Sequence, residues 1–198
     1  LASGLEPEGN VWVAQLYRFT NDGTYQHEVP VGYVSMTTLA EQDTVFSFVL
    51  FGEEGSDRMV PSSRQECPTV NDALASYTGI WSRAADGVGG ASVLANSVGQ
   101  GYLHYIYDDR GRPVWLLGAG VVEGLPDMRE IPLSQYDGYC AVCSGDVPTS
   151  QEVGVLTGDY TDEANVTWTL NYALEVPLSG SINRTDDAAK LTAPLICN

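Results

Sequence analysis

YIYDDRGRPVWLLG, residues 105–118, sets two runs of aromatic and aliphatic residues on either side of an Asp-Asp-Arg-Gly step. Asp108 and Asp109 tolerate the bridging conformations of a reversal, Gly111 permits a positive φ, and Pro113 keeps the chain after it extended. The stretch predicts a β-hairpin with Tyr105 and Tyr107 opposite Val114 and Trp115 or their neighbours, the aromatic cross-strand pairing that stabilises sheets. On this reading the turn closes a hairpin before it presents any chemistry.

Working outward, the same period-two alternation recurs, and a sustained helical period does not. Residues 11–20 (VWVAQLYRFT) meet residues 24–29 across Asn21-Asp22-Gly23, a hairpin signal. GYVSMTTL (32–39), TVFSFVLF (44–51), YTGIWSRA (77–84), GGASVLA, GYLHYIY and PVWLLGAGVV read as further strands, with weaker ones near MREIPL, EVGVL, NVTWTLNYALEV and LTAPLIC. Val166, Trp168, Leu170 and Tyr172 alternate with Thr167, Thr169 and Asn171, as in a strand with one wet face. The expected fold is all-β, an antiparallel β-sandwich or β-barrel of about a dozen short strands with at most one short helix.

From Gly52 to Ser76 the pattern lapses at Glu53-Glu54-Gly55, Pro61-Ser62-Ser63 and Cys67-Pro68, which mark a long connection. Thr69 followed by Asp72 resembles a helix cap ahead of Ala73-Leu74-Ala75. The connection is read as a loop held by Cys67 within a single domain, 1–198; the alternative is a boundary between lobes 1–75 and 76–198. LYRFTNDGTYQ (16–26) and HYIYDDRGRPVW (104–115) echo one another, as any two aromatic hairpins can.

The 198 residues are 43% hydrophobic, enough for a substantial core. Acidic residues outnumber basic ones 26 to 9, a formal charge of -17. Phosphate backbones and anionic headgroups are repelled by such a chain, so nucleic acid and membrane surfaces are set aside, while cations, polyols and other proteins remain. Lys190 is the one lysine, and an acidic, lysine-poor surface suits a secreted protein facing salt or divalent ions; the amino-acid usage of the source would explain it equally well. No run of eighteen apolar residues exists to span a bilayer as a helix. Leu1-Ala2-Ser3-Gly4 lacks a basic n-region and an apolar h-region and reads as a mature end.

The four cysteines, Cys67, Cys140, Cys143 and Cys197, favour two disulfides in an oxidising compartment. Connectivity stays open among three pairings. On a regular strand Cys140 and Cys143 would face opposite sides and reach separately for Cys67 and Cys197; a local bridge needs a turn there. A redox motif lacks its βαβ context, and a zinc site lacks a second close pair.

Catalytic signatures are sparse. His104 lies within a strand beside aromatics, where packing is the commoner role, and His27 is the only other histidine. HExxH, Gly-x-Ser-x-Gly and Walker-type loops are absent, and no serine precedes Lys190 at the S-x-x-K spacing. Two carboxylates suffice for a glycosidase, but among 26 acids the sequence cannot select a pair. Asp108-Asp109, Asp159-x-x-Asp162-Glu163 and Asp186-Asp187 are candidate Ca2+ ligands without EF-hand spacing. Trp12, Trp81, Trp115 and Trp168 sit in strands, where core packing competes with a saccharide-stacking role. Asn165-Val166-Thr167 and Asn183-Arg184-Thr185 fit the N-glycosylation sequon.

TGIWSRAADGVGG followed by GYLHYIYDDRGRPVWLLGAG resembles a motif of secreted bacterial β-rich domains, most without an assigned activity: a Gly-x-Trp, a Gly-rich step, and an aromatic-Tyr-Asp-x-x-Gly-x-Pro-x-Trp-Leu hairpin. The matching positions are Gly79, Trp81, Gly89, Tyr107, Asp108, Gly111, Pro113, Trp115 and Leu116, over about residues 78–120. Tyr105-Ile106-Tyr107 departs from the more usual Phe-Thr-Tyr type of run, and the first 75 residues have no counterpart. The resemblance implies location and fold more than function.

The functional expectation is a non-catalytic secreted domain that acts by binding or self-assembly, such as an extracellular or cell-surface structural subunit. A carbohydrate-binding module is the alternative, and a glycan-active hydrolase stands third. No catalytic residue, metal ligand or cofactor is assigned, Ca2+ being the one candidate ion. The expected partners are the chain itself, another extracellular protein or a saccharide, met through folded faces or the apolar run Leu191 to Cys197.

Overall fold

The structure, a computed structural model, describes residues 2–4, 9–21, 25–40, 43–60, 66–85, 89–121, 125–137, 149–193 and 197. It is all-β: fifteen strands and no helix among the described residues. These strands fall into two compact units, one holding the first five and the other the remaining ten. The division lies between Val60 and Glu66, ahead of the 75/76 boundary weighed above.

In the first unit, β1 (Ala2–Gly4), β2 (Val11–Asn21), β3 (Gln26–Ala40), β4 (Asp43–Leu50) and β5 (Glu53–Met59) form one antiparallel sheet in chain order. Asn21 pairs with Gln26, so the first expected hairpin forms; Asp22 and Gly23 lie outside the described residues. The two strands expected at 24–29 and 32–39 are one, β3, with a register shift opposite Leu16 and Tyr17. Register puts Trp12, Met36 and Phe46 in one cross-strand row and Ala14, Val34 and Phe48 in the next, on the same face. Ala14 and Val34 alone are buried among this unit's described residues.

β5 corrects the reading of Glu53-Glu54-Gly55 as a loop. Phe51 and Gly52 take φ of 53° and 87°, the twin positive values of a type I′ turn, and return the chain against β4. As the edge strand, β5 is almost wholly exposed and can therefore be EEGSDRM; charge on an edge also discourages pairing with another chain.

The second unit begins with β6 (Thr69–Val70) and β7 (Ala73–Leu74), a two-residue ladder where a short helix was expected. Asn71 and Asp72 have φ of 51° and 63°. Asn and Asp are the side chains that best tolerate this region, so the Asp that resembled a helix cap serves instead in a tight reversal.

β8 (Gly79–Arg83), β9 (Gly90–Ala95), β10 (Gln100–Tyr107), β11 (Pro113–Gly120), β12 (Asp127–Asp137), β13 (Thr149–Tyr160), β14 (Asn165–Ala173) and β15 (Ser181–Lys190) form a closed antiparallel barrel in chain order. Lys190 opposite Trp81 and Ala188 opposite Arg83 close it. An eight-stranded barrel has an interior just wide enough for side chains. Trp81, Tyr102, Leu116, Leu133, Leu156 and Trp168 fill this one. Tyr77 and Tyr160 stack at 4.1 Å, Trp81 Nε1 donates to Tyr77 O at 3.0 Å, and Tyr102 Oη donates to Gln100 Oε1 at 2.5 Å. β14 shows the expected wet and dry faces.

The last strand among the described residues is β15; of the expected LTAPLIC strand, residues 191–193 are not in a strand and 194–196 lie outside the described residues. Its inward positions include Arg184 and Asp186, so alternation of polarity does not announce it. Cys67 and Cys197 are joined by a disulfide with Cα atoms 5.5 Å apart, tying the start of this unit to the end of the chain. That bridge excludes both pairings in which Cys140 and Cys143 reach separately for Cys67 and Cys197. Cys140 and Cys143 themselves lie outside the described residues.

Candidate functional site

The hairpin at 105–118 forms in the expected register: Tyr105 opposite Trp115, Ile106 opposite Val114, Tyr107 opposite Pro113. Gly111 N donates to Asp108 O at 2.9 Å and Asp108 N to Arg112 O at 3.0 Å, with Gly111 at φ 70°. This is a three-residue loop built on a turn and a left-handed glycine. Asp108 is buried, and its carboxylate accepts from Arg110 N at 2.9 Å, Arg112 N at 2.8 Å and Arg112 Nε at 2.7 Å. Burial pushes the Asp108 carboxyl up, yet the hydrogen bonds from Arg112 and Arg110 and the Arg112 charge outweigh it and leave the group below its ordinary range. Arg112 Nη2 also donates to Pro177 O at 2.8 Å, and Asp109 N to Ser179 O at 2.9 Å. The turn is thus an internal brace with the Asp108 carboxylate already engaged.

The two strands do present something. Alternation sends Ile106, Val114 and Leu116 into the barrel and Tyr105, Trp115 and Leu117 outward. Trp115 is 53% exposed and Tyr105 43%. Leu116 opposite Gln135 puts Tyr136, also exposed, on Trp115's side. Leu94 on β9 and Ile80 on β8 continue the apolar outer positions across β8–β11. Ser92 Oγ lies 3.0 Å from Tyr105 Oη, holding that ring's hydroxyl in place.

The motif residues therefore divide. Trp81 is 1% exposed and belongs to the core; Asp108 and Gly111 belong to the turn; Tyr107 is half-buried at the hairpin mouth, and burial raises its phenol above the usual range. Pro113 and Trp115 lie open, on the outer side of β11. No family model matches the chain, and no curated protein or solved structure matches it. The outer face and the barrel interior must be read from their own chemistry.

Several of the acidic candidates accept from protein partners. Asp162 accepts from Ala164 N at 2.7 Å and from Asn165 Nδ2 at 3.0 Å, which holds its carboxyl below the usual range. Asp187 accepts from Thr167 Oγ1 at 2.8 Å outside the barrel, while Asp186, its neighbour, faces inward to Arg184 and Arg83. Among the described residues no cluster of three or more His, Cys, Asp or Glu is placed to hold a metal ion. Asn165 and Asn183 are both exposed.

Sequence reasoning missed two interior polar groupings. Lys190 Nζ donates to Ser76 O at 2.6 Å and lies 3.3 Å from Ser76 Oγ, while Glu163 Oε1 accepts from Ser76 N at 2.6 Å. Burial lowers the Lys190 ammonium, and the Glu163 charge works against that shift. Ser76 is 2% exposed, so this serine–lysine pair pins a segment and offers no nucleophile to solvent. The second grouping surrounds His104, which packs edge-on against Trp168 at 5.0 Å. Burial, then the Arg184 charge, lower its pKa to about 4, so the ring is neutral at pH 7. Neither grouping has a local motif, because the barrel gathers residues from strands far apart in the chain.

Proposed function

We propose that the chain is a non-catalytic, secreted or cell-surface binding domain that docks another protein through the outer face of β8–β12, a second copy of itself being the first partner to test. The carrying observation is the exposed row of Trp115, Tyr105 and Tyr136, flanked by Leu117, Leu94 and Ile80 and free of charge in a chain of formal charge -17. Interface centres are enriched in Trp and Tyr and depleted of charge, with polar rims. Ser134 and Glu152, which follow Leu117 across the sheet, supply such a rim. A closed barrel has no unpaired strand edge in its middle, so docking there uses side chains. The Cys67–Cys197 bridge supports an oxidising compartment.

The neighbouring Trp115 and Tyr105 rings, with the Ser92 hydroxyl beside them, favour a second reading as a saccharide-stacking platform. Sedimentation velocity over a concentration series, run beside a glycan array, separates the two. The first reading expects concentration-dependent association that weakens at least about 30-fold in Trp115→Ala, as for a hot-spot residue. A monomer that binds a glycan through Trp115 supports the second. A monomer at every concentration that captures no glycan contradicts self-docking and the saccharide reading alike.

A further inference from the structure

We infer that the sheet of the first unit carries a binding groove for a neutral saccharide, built on Tyr33, Glu54 and a row of serine hydroxyls. One face of this sheet frames a cavity of about 560 Å³. Small-molecule sites span roughly 300–1,000 Å³. Register assembles the groove: Ser35, Ser47 and Ser56 stand opposite one another on β3, β4 and β5, and Tyr33, Val49 and Glu54 form the next row on the same face. Val13, opposite Ser35, extends it onto β2. Tyr33 is 56% exposed, and Glu54 is exposed beside it, so ring and carboxylate are both open to a ligand.

The chemistry of the lining selects the ligand. Ser47 Oγ and Ser56 Oγ lie 3.0 Å apart and share one hydrogen bond. A hydroxyl donates once and accepts twice, so the pair keeps a donor and several acceptor positions to spare. Glu54 is the one charged side chain lining the groove among the described residues. Arg58, one row away on this face, is held by Asp43 through its Nε at 2.7 Å. An anionic ligand would meet Glu54 uncompensated in a chain of formal charge -17. A purely apolar ligand would strip water from the serines and Glu54 without replacing it. A neutral sugar answers each group: neighbouring hydroxyls donate to the two oxygens of the carboxylate, others exchange hydrogen bonds with the serines, and the C–H face of a pyranose covers the Tyr33 ring. The groove lies in the first unit and the Trp115 face in the second, so either proposal can fail without the other.

The test is a glycan array probed with the intact, oxidised chain, followed by calorimetric titration of the best-captured neutral oligosaccharide in free form. The expected result is saturable binding with a Kd of about 0.1–1 mM, insensitive to added salt and unchanged in Trp115→Ala. Tyr33→Ala should weaken it at least about 10-fold and Glu54→Gln about 3–10-fold, with melting temperatures close to that of the wild type because both side chains are exposed. Binding that fades as salt is added identifies a cationic ligand held by Glu54 and overturns the assignment. Capture of no glycan, or capture that Tyr33→Ala leaves intact, overturns the groove as a saccharide site; protection of Tyr33 from oxidation on self-association, without glycan capture, gives it to a second copy of the chain.

Discussion

In β8–β15 every strand sends alternate residues into one shared interior, and Trp81, Leu116, Leu133 and Leu156 are almost completely withdrawn from solvent there. In β1–β5 the same alternation yields an open sheet, with Ala14 and Val34 alone buried among the described residues. Equal strand propensity therefore does not mean equal anchoring. Closure gives the barrel a cooperative core, while the sheet depends on its ladder and on contacts along one face, such as Phe46 with Phe48 of β4, whose rings lie 5.9 Å apart.

The sharpest way to break this comparison is to empty one side chain from each unit. Trp81→Ala should cost about 3–5 kcal/mol in urea unfolding, because the surroundings cannot collapse into the space. Phe48→Ala, in a half-buried position, should cost about 1–2 kcal/mol. Equal losses would show that the sheet is anchored as firmly as the barrel.

Acid should act on the barrel next. The folded pKa of His104 is about 4 against an ordinary 6.5, so below pH 6.5 the unfolded chain takes up a proton that the folded chain refuses. The stabilisation is present above pH 6.5 and is lost as pH falls to about 4, amounting to about 3 kcal/mol. Denaturant titrations at several pH values should show this slope, and His104→Phe should flatten it. A wild-type slope unchanged in His104→Phe would place the titration elsewhere.

Asp108→Ala removes the acceptor of two backbone N–H groups and of Arg112, and should cost about 2–3 kcal/mol by thermal unfolding. Gly111→Ala, forced to a positive φ, should cost about 1–2 kcal/mol. Trp115→Ala should change stability by less than about 0.5 kcal/mol while weakening association, the signature of a side chain kept for contact. A large loss of stability there would make Trp115 a structural residue.

The hairpin around Asp108 was legible because its turn chemistry and flanking alternation agree. β5 and β15 were not. Glu53, Glu54 and Arg58 are tolerated on an exposed edge, and Arg184 and Asp186 face inward because each partly neutralises the other. In both strands the polar pattern reports local electrostatics and hides the pleat. Asn71 and Asp72 carried a turn signal that the capping pattern concealed. Trp81 and Trp115 look equivalent in sequence, since period two fixes that neighbours face opposite sides without saying which side the barrel encloses. The polar interior was illegible for another reason: His104, Trp168 and Arg184 meet only after closure.

Hydroxyl-radical footprinting across a protein concentration series tests the central claim, that the hairpin sends Trp81's neighbours inward and Trp115 outward to a docking face. The account predicts rapid oxidation of Trp115 and Tyr105 in dilute protein, slow oxidation of Trp81 and Trp168, and protection of Trp115 and Tyr105 as association proceeds. Trp115 oxidising as slowly as Trp81 when dilute, or at an unchanged rate as the chain associates, would contradict it.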